Sequence, residues 1–103
     1  MSDILTRIKR AVLSGRYAFS EKATVEMEAD GLTELDVVEA ISSAVAIYKT
    51  IRSAQGRPGV REYLHIIQST NLSGAMIYTK GKLVAGSAQE TYYFLVSSKR
   101  ALR

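Results

Sequence analysis

An α+β domain, with helices first and a sheet after, is what the sequence predicts, on three observations. Apolar residues recur at helical spacing up to residue 44, they alternate with period 2 from residue 45 onward, and glycines or helix-capping residues stand at each change. The chain of 103 residues is long enough for one core and shows no repeat, low-complexity tract or internal boundary. Residues 1–103 therefore read as a single domain, helical over 1–44 and a small antiparallel sheet over 45–103, with the helices packed on that sheet.

The elements follow in order. Ile4, Leu5, Ile8, Ala11 and Val12 fall on one stripe of a first helix, which Gly15 ends. "RYAFS" leads to Ser20, a good N-cap for a second helix over "EKATVEMEAD", whose apolar stripe (Ala23, Val25, Met27, Ala29) is less regular. Gly31 supplies the left-handed position after it. Thr33 and Asp36 form an approximate capping box for a third helix carrying Leu35, Val37, Val38 and Ile41. "VAIYKTIR" then reads as a strand, with Val45, Ile47, Lys49 and Ile51 on one face. "SAQGRPG" is expected to be a mobile basic connection. "VREYLHIIQS", "AMIYTK" and "TYYFLVSSK" are further strands of a meander, "NLSG" is a turn, and "GKLVAGSAQE" carries at most a short strand running into a loop.

Composition narrows the chemistry. The absence of cysteine and the single histidine remove disulfides, cysteine-ligated zinc and multi-histidine metal motifs, so the expected chemistry needs no cofactor. No apolar run of membrane-spanning length occurs, and the charged amphipathic N-terminus is unlike a signal peptide, so a cytoplasmic protein with no membrane partner is expected. Charge is divided unevenly. Residues 1–48 hold five basic side chains against eight acidic ones, net −3, whereas residues 49–103 hold nine against two, net +7. Such a division favours attraction of a polyanion to the C-terminal half, although a solvated basic surface would look the same.

The strands interleave those cations with Tyr48, Tyr63, Tyr78, Tyr92 and Tyr93. Lysines attract phosphate, and a tyrosine ring stacked on an unpaired base is worth about 1–3 kcal/mol. Single-stranded RNA uses both, although tyrosine is also an ordinary strand residue. RNA cleavage without a metal needs a proton acceptor for the 2′-hydroxyl, cations for the phosphorane oxygens and a proton donor for the 5′-oxygen. Lysine, arginine, tyrosine and His65 are the available groups, and His65 shares strand parity with Arg61 and Tyr63. A lone histidine beside two isoleucines is more often a packed sheet residue than a catalytic one. The acidic residues, spaced i, i+3 or i+4 from Lys22 or Arg10, read as solvated helix faces. No Ser/His/Asp arrangement and no nucleotide-loop spacing is present.

The run from "ILTRIKRAVLSGRYAFSEKATVEMEADGLTELDVVEAI" through "IYKTIR" to a tyrosine-lysine strand and a terminal "SSKR" resembles the motility quorum-sensing regulator toxins and a related family encoded beside zinc-finger antitoxins. The resemblance covers nearly the whole chain on short motifs. It implies a RelE-like ribonuclease-toxin fold and the activity of an mRNA endoribonuclease restrained by an antitoxin protein. It also implies catalytic roles for Lys49 in "IYK", Tyr78 in "GAMIYTK" and Lys99 in "SSK". The family's glutamine falls nearest Arg61, with Gln68 as the alternative, and Lys22 replaces the histidine of the related family's Ser-x-His-Ala motif.

Together these lead to the expectation of a type II toxin that cleaves mRNA without a metal. Lys49, Tyr78 and Lys99 would be catalytic, Arg61, Lys80, Lys82 and Arg100 would bind RNA, and His65 would be an acid or base. The alternative is a non-catalytic nucleic-acid-binding or protein-interaction module on the same fold.

Overall fold

In the computed structural model, residues 3–53, 62–86 and 90–101 are described. Three helices, α1 (Ile4–Leu13), α2 (Glu21–Ala29) and α3 (Glu34–Ser43), accompany five strands, β1 (Tyr17–Phe19), β2 (Lys49–Arg52), β3 (Tyr63–Thr70), β4 (Met76–Ala85) and β5 (Thr91–Arg100). The strands form one sheet in the order β1-β5-β4-β3-β2. The domain is thus α+β, but the sheet is mixed rather than antiparallel: β1 runs parallel to β5, with Tyr17 opposite Tyr93 and Phe19 opposite Leu95. Three residues are too few to display a period, so the sequence read this strand as a connection.

Caps set the helix boundaries. Asp3 accepts from Thr6 N at 2.7 Å, Ser20 from Ala23 N at 3.0 Å, and Thr33 with Asp36 completes a reciprocal capping box. Gly31, at φ 69°, lets the chain leave α2 through the left-handed region that a side chain disfavours. All three helices bury their apolar residues against one face of the sheet. Ile8, Ala11 and Val12 of α1, Met27 of α2, and Val37, Ala40 and Ile41 of α3 cluster with Ile67, Ile77, Tyr93 and Leu95. Each large side chain removed from water there contributes about 1.5–3 kcal/mol.

Two departures from the expected strands decide which residues face outward. The first concerns β2, which begins only at Lys49. Ile47 packs toward the helical core while Val45 is 95% exposed, so alternation does not extend back through residues 45–48. The second concerns "KGK", which is the middle of a continuous ten-residue β4 rather than its end. Gly81 is needed there for space: an added Cβ would come within 2.6 Å of Tyr93 Cζ and 2.8 Å of Phe94 O. The buried Tyr93 ring lies over this glycine, and its hydroxyl donates to His65 O at 3.4 Å.

At the same point the β4–β5 ladder carries a bulge. Gly81 pairs with Leu95 and Lys80 with Ser97, so Val96 is the extra residue. Before the bulge the odd-numbered residues Tyr93 and Leu95 face the helices; beyond it Ser98 and Arg100 pair with Thr79 and Ile77 on that face. Ser97 and Lys99 are thereby turned to the opposite side.

Candidate functional site

The face of the sheet away from the helices is assembled by register. One row across the strands runs Lys49, Ile66, Lys80, Ser97, and the next runs Gln68, Tyr78, Lys99. A flanking row pairs Ile51 with Leu64 and Lys82 with Phe94. Adjacent strands lie about 4.8 Å apart, so the cations of Lys49 and Lys99 are attached roughly 14 Å apart across the sheet. Among the described residues Lys49, Lys80 and Lys99 form no ion pair, whereas Lys82 Nζ is 3.1 Å from Glu62 Oε2.

The second row is tightly arranged. Lys99 Nζ lies 5.4 Å from the centroid of the Tyr78 ring, a cation–π contact. Burial, and secondarily the charge of Glu26, push the Tyr78 phenol up, so it holds its proton at neutral pH. Glu26 enters from α2. Partial burial acts to raise its carboxyl, but hydrogen bonds from Ser97 Oγ at 2.6 Å and Ser98 N at 3.2 Å, with Lys22 Nζ at 3.4 Å, outweigh burial and hold it below the ordinary range. A protonated phenol, an ionised carboxylate and unpaired lysines thus share one surface.

The remaining expected residues lie elsewhere. His65 faces the helix side, on the opposite face from Tyr78 and Lys99. It is buried, its Nδ1 is 3.1 Å from Thr50 Oγ1, and burial lowers its pKa so that it is neutral. The parity that grouped it with Tyr63 holds, and that parity is the reason it cannot join the lysines. Arg100 is also on the helix-side parity, opposite Ile77, with its backbone N donating to Asp30 Oδ2 at 2.8 Å and its Nε to Asp30 O at 3.2 Å. Arg61 lies outside the described residues, as does the "AQGRPG" part of the expected mobile connection.

Two further residues lie at this face. Gln68, the sequence's alternative to Arg61, stands directly across from Tyr78 in the pairing of β3 with β4. Glu26 carried no signal at all, because a glutamate four residues after a lysine on a helix looks like a solvated pair. Among the described residues no three His, Asp or Glu side chains gather as a metal-binding group, and no helix is long and apolar enough to cross a membrane. No family model matches this chain, nor does any curated protein or solved structure.

Proposed function

We propose that the chain is an endoribonuclease of single-stranded RNA that needs no metal, acting as the toxin of a type II toxin–antitoxin pair, with a RelE-like fold. The observation that carries the reading is the row Gln68–Tyr78–Lys99 beside the row Lys49–Ile66–Lys80–Ser97, all on the face opposite the one on which the three described helices bury their apolar residues. In the reaction the 2′-hydroxyl attacks the adjacent phosphorus, the O2′–P bond forms, and the P–O5′ bond breaks. Lys99 and Lys80 stabilise the phosphorane oxygens, Gln68 donates its amide to them, and Tyr78 gives a proton to the departing 5′-oxygen. Lys49, three strands from Lys99, holds a neighbouring phosphate, as does Lys82 once RNA competes with Glu62. The natural restraint would be an antitoxin protein that covers this basic face, with a zinc-finger domain as the resemblance implies.

Incubating the protein with mixed-sequence single-stranded RNA in EDTA, with Lys99→Ala beside it, tests this. Cleavage by the unmodified chain and a loss of about 10²-fold or more in the variant are expected. The second reading is a binding module that tracks an RNA backbone without cutting it. It is favoured by the spacing of the unpaired lysines across the whole face, and it would give intact RNA with salt-dependent association.

A further inference from the structure

The cleavage step lacks a proton acceptor if only the expected residues take part. Lys49, Lys80 and Lys99 are donors in their charged form, and Tyr78 retains its proton. Ser97 already donates to Glu26. Glu62 is committed to Lys82 at the end of the sheet where β3 begins.

Glu26 fills the gap because of how the sheet edge is built. β1 stops at Phe19, opposite Leu95, and among the described residues no strand continues along that edge of β5, the edge away from β4. Two carboxylates one turn apart, on α2 and at its C-cap, take the place of a neighbouring strand there: Glu26 Oε1 accepts from Ser98 N and Asp30 Oδ2 from Arg100 N. Ser20, the N-cap of the same helix, reaches the bulge as well, its N donating to Leu95 O at 2.8 Å and its Oγ to Val96 O at 2.9 Å. The bulge that turns Ser97 and Lys99 outward is therefore held from α2 at both ends. In that arrangement Oε1 is used twice, by Ser97 Oγ and Ser98 N, whereas among the described residues Oε2 meets only Lys22 Nζ at 3.4 Å, and that lysine side chain is 61% exposed.

We infer that Glu26 is the proton acceptor of the site, taking the 2′-hydroxyl proton of a bound RNA strand at Oε2 while Tyr78 protonates the 5′-oxygen across the same phosphorus. The inference rests on the ribonuclease reading above. The step balances: O2′–P forms as P–O5′ breaks, one proton moves to Glu26 and one leaves Tyr78, and solvent restores both between turnovers. The opposed environments of the two groups agree with this division of labour, one kept ionised and the other protonated. The charge facing Glu26 is Lys22 on its own helix, and the titratable group that senses Glu26 from the sheet is Tyr78.

Glu26→Gln is the informative variant, because its amide oxygen still accepts from Ser97 and Ser98 while its basicity is gone. With a single-stranded RNA oligonucleotide as probe, kcat should fall by about 10²–10⁴-fold. Affinity for a 2′-deoxy version of the oligonucleotide should stay within about threefold, and the decline in rate toward acid pH should vanish. Ser97→Ala keeps the carboxylate but removes its shortest hydrogen bond, so the acid limb of the rate profile should move to higher pH. Cleavage by Glu26→Gln at the unmodified rate and pH profile, or an unmoved acid limb in Ser97→Ala, overturns the inference and leaves the ribonuclease reading standing. Intact RNA with the unmodified chain overturns both.

Discussion

On the helix side of the sheet, Ile67, Ile77, Tyr93 and Leu95 interlock with three helices; on the other side, Tyr78, Lys80 and Lys99 of β4 and β5, with Lys49 of β2, share a face with Leu64, Ile66 and Phe94. Neighbouring residues of one strand thus serve opposite purposes. On the covered face, removal of apolar surface from water stabilises the fold; on the open face, among the described residues, no carboxylate pairs with Lys49, Lys80 or Lys99. Substitutions on one face should therefore move stability and on the other should move interaction with RNA, and the contrast can be broken by experiment.

The largest effect is expected at the centre of the covered face. Tyr93→Ala should lose about 3–5 kcal/mol of unfolding free energy in a urea titration, since the ring is fully buried. A loss below about 1 kcal/mol would mean that this face is not the core. Gly81→Ala, on the same face, should cost about 1–3 kcal/mol, because the new methyl group meets both the Tyr93 ring and the Phe94 carbonyl. An unchanged urea midpoint would show that Tyr93 can move aside.

On the open face, Lys80→Glu should leave the unfolding free energy within about 0.5 kcal/mol of the original. Its salt dependence of RNA association should flatten by about 0.7 in log–log slope, as expected for one phosphate contact to a single strand. A destabilised variant with an unaltered slope would assign Lys80 to structure and collapse the contrast.

The smallest effect is a pH dependence at the boundary between the faces. The Glu26 carboxyl is depressed in the fold below its ordinary value of 4.5, so its contribution to stability is present above that pH and is lost as pH falls through the folded value. The unmodified chain should accordingly lose more stability than Glu26→Gln on acidification past 4.5, which paired urea titrations would measure. Equal losses would show that Ser97 and Ser98 hold the glutamine as strongly as the carboxylate.

Much of the helical half was legible because its signals are local: Ser20, Thr33 with Asp36, and Gly31 act within one turn of their own positions. The site was legible in part. Tyr78 and Lys80 share a face because β4 runs unbroken through them, and strand parity alone predicts it. The same rule applied to β5 would put Lys99 with Tyr93 and Leu95 under the helices. The extra residue Val96 reverses that, and nothing in "FLVSSK" announces a bulge. His65 illustrates the converse, a chemically suggestive side chain whose parity carries it to the wrong side of the sheet.

What the sequence by itself determined is the set of helices and most strands and the concentration of cations in residues 49–103, because propensity, capping and charge are properties of short segments. Only the tertiary structure decided that β1 adds to the sheet in parallel, that Gln68 stands opposite Tyr78, and that Glu26 reaches the lysine face around the uncovered edge of β5. The reason is physical. Each of these joins residues ten or more positions apart, and which ones meet is fixed by strand order and register, which emerge when all the elements bury their apolar faces together.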